Sequence, residues 1–338
     1  MSIGFTASAT MHELTAHDPT PFLALLDHLG TTAPADNGEW RDWHIIRVAG
    51  AGNNLLFRAT GVAHDLAIKF TIRDQRDRAG REYAALLALR QAGLMIAPQP
   101  LWLDRDRYAQ PVVVQSWLEG TVLPAPPASD CEWQRLVDHY LSIHTLTPAV
   151  RSIALPPAVL NMNSAAEGLD RIRQQLAILP EAEQPSDLHE LIQHVEQARL
   201  PVWPAPQLAL CRVDPNTLNF VRRPNTWASV DWENAGWGDP AFEIADLITH
   251  PAYADVPPER WEWLIDAYCA QGGDPSGSTR IRVYRLLMQV WWVARLARIL
   301  YEVPRGGDQR LVVRPDGWLE DIRQKYGRYL ELARAAAF

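Results

Sequence analysis

A glycine turn with a strand on either side sets the strongest limit on what this chain can fold into. Residues 43–49 (WHIIRVA) read as a strand, the turn AGAGNN overlaps its end, and Leu55–Thr60 resumes as a strand rather than a helix. Gly50 and Gly52 satisfy only the first two positions of a dinucleotide fingerprint. That fingerprint needs a helix after the turn, so that a pyrophosphate meets a helix N-terminus, and this chain supplies another strand. Taken alone, the turn serves equally well as an ordinary hairpin.

The following segments extend the pattern. LAIKFT (66–71) reads as a third strand, and a charged helix over 74–91 stops at Gly93. QPLWLD and PVVVQSWLE, separated by a polar turn, form a hairpin that completes a small antiparallel sheet packed against one main helix. The proline-rich TVLPAPPAS then separates two unlike halves. Beyond it the chain is mainly helical. Ser129 with Glu132 has capping-box spacing, helices are expected over 165–179 and 186–199, and LALCRV, LNFVRR and WASVDW read as short strands around a polar loop. The reading is an α+β fold of two lobes. An N-terminal extension (1–37) carries a short helix at 21–30, a nucleotide-sized sheet lobe covers 38–120, and a larger helical lobe covers 121–338. A length of 338 residues supports that division.

Composition narrows the partners. Lys and Arg number 32 against 40 Asp and Glu, a net charge of −8, so no basic field draws nucleic acid or an anionic membrane. A small neutral or cationic substrate suits that charge better. Three scattered cysteines make neither a disulfide framework nor a Cys-x-x-Cys metal pair, which favours a reducing cytoplasm. No leader-like or membrane-spanning apolar run is expected. Neither a Gly-x-Ser-x-Gly elbow nor a His-Glu-x-x-His pair occurs, so serine hydrolase and zinc peptidase chemistry lack their local signatures.

The chemistry-bearing residues come in a fixed order. Lys69 lies between apolar neighbours in LAIKF, where an ammonium is costly unless an anion meets it. Glu82, midway along the next helix, is placed to reach back and leave the ammonium aimed at phosphate oxygens below the glycine turn, where Gly50, Gly52 and Asn53 lie. In RVDPNTLNFV, Asp214 precedes Asn219 by five positions, and Asp231 ends the WASVD strand twelve positions later. A carboxylate that orients a hydroxyl, an amide oxygen and a second carboxylate that grip Mg²⁺ are the parts phosphoryl transfer requires. Asp and Asn at such spacing also occur by chance in turns.

LCRVDPNTLNFV followed by VDWENAGWGDPAFEIADL resembles the aminoglycoside phosphotransferase and choline kinase family, whose fold is protein-kinase-like. The likeness runs from about Trp43 to Pro251. It implies Asp214 as catalytic base, Asn219 and Asp231 as Mg²⁺ ligands, Lys69 with Glu82 as the phosphate-anchoring pair, and backbone around Gln115 to Trp117 as the adenine contact. Asp239, in the family's Gly-Asp-Pro helix start, is expected to cap a helix and brace the loop.

Two positions depart from the family pattern. Arg212 stands where the family has His and Val213 where it has Gly, which places a cation beside Asp214 and Asp231 that is expected to pair with one of them and lower its basicity. His144 is expected to be a hydrogen-bonded packing histidine, and Glu233, Asn234 and Trp237 to brace the loop or border the substrate cleft. The reading is a Mg²⁺-dependent kinase that moves the γ-phosphoryl of ATP or GTP to a hydroxyl on an aminoglycoside-, amino alcohol- or polyol-like molecule. The Arg212 and Val213 substitutions hold open a second one, a nucleotide-binding pseudokinase that acts as a sensor or interaction module.

Overall fold

A computed structural model describes residues 20–31, 37–48, 54–149, 154–307, 311 and 314–336. The chain begins with α1 (Thr20–Thr31), then β1 (Gly38–Trp40), β2 (Trp43–Arg47), β3 (Leu55–Thr60) and β4 (Asp65–Phe70). Helix α2 (Arg78–Gln91) follows, then the hairpin of β5 (Pro100–Asp104) and β6 (Val112–Ser116). The strands form one antiparallel six-stranded sheet in the order β1-β2-β3-β4-β6-β5. Strand β1, a three-residue GEW segment, is an addition to the five strands legible in the sequence. The turn that holds Gly50, Gly52 and Asn53 lies outside the described residues.

Period-two alternation sorts the sheet's side chains. Leu66, Ile68 and Phe70 of β4, with Val112 and Val114 of β6, join Phe57 in the core beneath α1. Ala67 and Lys69 therefore turn to the opposite face, towards α2 and the interlobe cleft. Helix α1 presents Phe22, Leu25, Leu26 and Leu29 to the outer face, a spacing that makes one apolar stripe. Asp27 anchors it by ion-pairing Arg107 at 2.7 Å and accepting the Tyr108 hydroxyl at 2.9 Å. The sheet is thus covered on both faces.

Helix α2 starts at Arg78 rather than at residue 74. Asp74 accepts the Arg76 N–H in a turn of its own, and Asp77, at φ 49°, caps the helix by accepting the Gly80 N–H. It ends where expected: Gly93 takes φ 75°, Leu94 N–H donates to Leu89 O, and Gly93 N–H donates to Arg90 O. That pair of bonds is a Schellman cap.

The second lobe contains α3 (Asp130–His144), α4 (Ala165–Leu176) and α5 (Ser186–Gln197). Two short strand pairs follow, β7 (Ala209–Cys211) with β10 (Gly236–Gly238) and β8 (Phe220–Val221) with β9 (Ala228–Ser229). The chain closes with α6 (Pro240–Thr249), α7 (Pro258–Gly272), α8 (Gly277–Glu302) and α9 (Trp318–Ala335). Ser129 caps α3 by accepting the Glu132 N–H, while the Glu132 carboxylate reaches the N–H of Ala128, one residue before the position an ideal capping box uses. Helix α8 runs through the lobe's core and packs against α4, α6 and α9. Gly236 allows β10 to approach the backbone of the preceding loop, because a Cβ there would lie 2.3 Å from Pro156 O. Among the described residues no helix is long and apolar enough to cross a membrane.

Candidate active site

The cleft between the lobes has a volume of about 640 Å³. One end is apolar, walled by Val48, Leu56 and Ala67 from the sheet and by Val221 and Val230 from below; the other carries Lys69, Asp214, Asn219 and Asp231. Residues separated by 162 positions in the chain meet here because β4 presents Lys69 downward and the β7–β10 loops present their carboxylates upward.

Lys69 is nearly buried and meets three carboxylates: Glu82 at 2.8 Å, Glu233 at 3.3 Å, and Asp231 in a short contact. Burial disfavours the ammonium, but Asp231, Glu82 and Glu233 outweigh it and hold the Lys69 pKa well above lysine's ordinary value. The expected pair with Glu82 is present, and Glu82 is itself fully buried. Burial pushes Asp231 above the usual carboxylate range, with Lys69 opposing. Glu233 is held below that range despite its burial, because Lys69 and Arg78 flank it and Asn54 donates to it at 2.7 Å.

Asp214 sits half-buried on the loop after β7. Burial raises its pKa, while Arg212, the Asn216 N–H and the Asn219 amide favour the anion. The Asn219 amide nitrogen also donates to the Asp214 carbonyl at 3.2 Å, which reserves the amide oxygen as an acceptor. Val230 N–H donates to Asn219 O at 2.9 Å and so ties this loop to the strand that ends at Asp231.

Of the two effects expected of Arg212, the ion pair is absent among the described residues and its pull on Asp214 towards lower basicity is present. Its side chain is fully buried and donates to two backbone carbonyls, Val230 O at 3.0 Å and Asp214 O, while its guanidinium lies 4.9 Å from the Phe220 ring centre. Among the described residues it forms no ion pair with either carboxylate. Its charge still favours the Asp214 anion through space. The position where the family has Gly is informative in another way: Val213 adopts φ 59°, a left-handed conformation that disfavours β-branched residues. Asp214 and Asp231 share that region at φ 66° and 64°.

Gln115 and Trp117 both line the cleft. The backbone between them is committed to the sheet, however: Ser116 N–H donates to Gln99 O at 2.9 Å and Trp117 N–H to Asp65 O at 2.8 Å. Leu118, the next residue beyond the sheet, lines the cleft as well. The Gln115 side chain points inward to Glu82 at 3.5 Å.

Several functional side chains escaped the sequence reading. Glu233, expected to brace the loop or border the cleft, joins Lys69, Arg78 and Asn54. Glu243 accepts the backbone N–H groups of Arg212 at 2.6 Å and Val213 at 2.8 Å, and His144 at 2.7 Å secures its second oxygen. His144, held in turn by the Tyr268 hydroxyl at 2.8 Å, is the packing histidine expected. Asp246 lies close enough to Asp214 for their charges to interact, and His250 lies 3.6 Å from the Asp214 carboxylate. Acidic residues at 243 and 246 in the otherwise apolar helix PAFEIADLIT were the signal available. Asp239 caps that helix, as expected, and forms a two-pronged pair with Arg280 at 2.9 and 3.0 Å. Asn234 and Trp237 brace the loop through backbone bonds to residues 156–159.

Comparison with known proteins agrees with this geometry. A family model described as the phosphotransferase enzyme family matches residues 44–284. The fold is similar to that of a Ralstonia eutropha structure assigned as an aminoglycoside phosphotransferase, at 17% identity and a TM-score of 0.66, covering 95% of this chain and 98% of that one. It is also similar to a choline/ethanolamine kinase family protein from Mesorhizobium loti, at 21% identity and TM-score 0.58 over 93% and 97% of the two chains. A spectinomycin phosphotransferase solved with ADP and spectinomycin matches at 11% identity and TM-score 0.62, over 94% and 98%. A search of curated proteins returned no match to the sequence.

Proposed function

We propose, for a chain that belongs to the phosphotransferase enzyme family and is a small-molecule kinase, that it moves the γ-phosphoryl of ATP or GTP to a hydroxyl of a small acceptor. The observation that carries this reading is the convergence of Lys69, Glu82, Asp214, Asn219 and Asp231 at one end of a cleft whose other end is apolar. The apolar end suits a purine, with the segment from Gln115 to Leu118 along its edge. Lys69, steadied by Glu82, meets the phosphates.

The donors at Asn219 and Asp231 are hard oxygens and fit Mg²⁺, which supplies charge neutralisation on the phosphates when bound. Asn219 is suited to that role because its amide nitrogen is already engaged by the Asp214 carbonyl. Asp214 aligns the acceptor hydroxyl and takes its proton as the oxygen–phosphorus bond forms and the bond to the leaving nucleoside diphosphate breaks. Positioning and electrostatics suffice for such a transfer. Arg212 steadies the loops here, since it clamps the carbonyls of Val230 and Asp214 and ion-pairs with neither carboxylate. That arrangement supports the kinase reading over a pseudokinase.

The acceptor is expected to be an aminoglycoside, amino alcohol or polyol, in keeping with a net charge of −8 and with relatives named for choline, ethanolamine and spectinomycin. Thermal unfolding with and without Mg²⁺-nucleotide tests the site without knowledge of the acceptor. At about a hundred times its Kd a ligand stabilises the fold by about 2.7 kcal/mol. The wild type should show that rise and Asp231→Asn should lose it; equal stabilisation of both proteins would reject the metal assignment. Phosphate transfer from radiolabelled ATP and GTP to choline, ethanolamine and aminoglycosides then identifies the acceptor class.

A further inference from the structure

The end of α6 delivers a histidine to the acidic residue that the proposed reaction depends on. His250 follows Thr249 as the helix stops and caps the short turn at Pro251–Tyr253, its Nδ1 accepting the Ala252 N–H at 3.2 Å. A nitrogen that accepts a hydrogen bond bears no proton, so the ring's proton resides on Nε2. Nε2 is the atom that faces the Asp214 carboxylate, 3.6 Å from Oδ1. The ring is packed edge-to-face against Trp292 of α8, at 6.0 Å, and Tyr253, at 6.4 Å, which restricts its rotation. Burial, followed by the nearby charges of Arg212 and Lys325, keeps the imidazole neutral by pushing its pKa down to about 3.

We propose that His250 is a positioning residue for phosphoryl transfer, a neutral Nε2–H donor that holds Oδ1 of Asp214 so that Oδ2 is presented to the acceptor hydroxyl. This rests on the reading of Asp214 as the base. Catalytic hydrogen bonds are often long before the reacting complex forms, and the 3.6 Å separation closes with a small movement of the carboxylate. The inference explains why a residue with both ring nitrogens directed is used at this corner. A mere helix cap needs one acceptor, which Asn or Asp provides, whereas His250 adds a donor at the far side of the ring. It also accounts for the buried neutral state, because an imidazolium here would ion-pair with Asp214 and oppose its service as a base.

Two measurements test it. Full-length protein isotopically labelled at its histidine nitrogens, with the His250 signals assigned by their loss in His250→Asn, should show the neutral Nε2–H tautomer from about pH 5 to about pH 8. The Nε2 resonance should move in Asp214→Asn. An Nδ1–H tautomer, or an imidazolium at about pH 6, overturns the proposal. The second is turnover with ATP, Mg²⁺ and water as acceptor. His250→Asn keeps an oxygen to cap Ala252, and its shorter amide cannot place a donor where Nε2 stands, so kcat should fall by about tenfold or more while KM for ATP and stabilisation by Mg²⁺-nucleotide stay unchanged. Wild-type kcat in this variant overturns the proposal, and a matched loss of kcat and nucleotide binding assigns His250 a structural role instead. Asp214→Asn separates the two levels: full turnover there rejects the base itself, whereas an inactive Asp214→Asn beside a fully active His250→Asn rejects only the role of His250. Should His250→Asn fail to fold, the wild-type spectrum, assigned through the response to Asp214→Asn, still decides.

Discussion

Val213 offers a comparison whose sign runs against ordinary expectation. It is buried, packs with Ala158 and Cys211, and holds φ 59° directly before Asp214. Replacing it by Ala or by Gly removes the same γ-methyl contacts, so the cavity cost largely cancels between the two variants. What differs is the Cβ. In the left-handed region a Cβ costs about 1–2 kcal/mol, and the greater unfolded freedom of glycine costs about 0.5–1 kcal/mol. The balance, from about zero to about 1.5 kcal/mol in favour of Val213→Gly over Val213→Ala, runs against a normal helix or strand position, which would favour Ala by about 0.5–1 kcal/mol. For a chain of 338 residues, with an unfolding entropy of about 0.7 kcal/mol/K, that is a difference of at most about 2 °C in Tm. Parallel thermal and urea unfolding of the two purified variants measures it. An Ala variant more stable than the Gly variant by about 0.5–1 kcal/mol would mean that the loop before Asp214 does not hold this conformation in solution, and the argument from its backbone would fail.

Other outcomes follow from buried charges. Asp239→Asn keeps an acceptor for the Ala241 N–H but breaks the two-pronged pair with buried Arg280 and the bond from the Tyr284 hydroxyl. The guanidinium keeps its 2.7 Å pair with half-exposed Asp274, so losing the buried charged bonds should cost about 1.5–3 kcal/mol, read from urea unfolding, and a loss under about 1 kcal/mol would contradict the buried pair. Burial lifts the Asp246 carboxyl to about 8, with Asp214 and Glu243 adding to the shift. The folded protein thus retains a proton that the unfolded chain releases near pH 4, and this contribution to stability declines as pH rises from about 4 towards about 8, by up to about 1.4 kcal/mol per unit. Asp246→Asn should flatten that decline; an unchanged pH profile of stability would show that Asp246 is already ionised in the fold.

The parts of the site legible in the sequence are those whose meaning is local. Lys69 is flanked by apolar residues on an alternating strand, and its orientation towards the cleft follows from that alternation alone. Asp214, Asn219 and Asp231 lie within one short stretch, so their spacing carries information before any folding is known. Glu233 was harder, because its partners Asn54 and Arg78 lie 179 and 155 positions away and only the closure of one lobe on the other brings them together. Arg212 was legible as a cation but not as a clamp, since the choice between a carboxylate and two carbonyls depends on where the guanidinium points. The covering of the outer sheet face by α1 was also out of reach. Its stripe of Phe22, Leu25, Leu26 and Leu29 marks a buried helix, but no local signal says against what. Strand β1, three residues long, is too short to show a period.

The meeting of Lys69 with Asp231 has a consequence for the order in which ligands arrive. A polyphosphate that binds alone draws the ammonium away and leaves Asp231 and Glu233 facing added negative charge. A divalent cation that binds alone takes Asp231 and leaves Lys69 with one carboxylate fewer and a new positive neighbour. When both arrive, each answers the charge that the other has released. Nucleotide and metal should therefore each tighten the other's binding by the same factor, as linkage requires. The cell's magnesium level would then set this protein's apparent affinity for its phosphoryl donor.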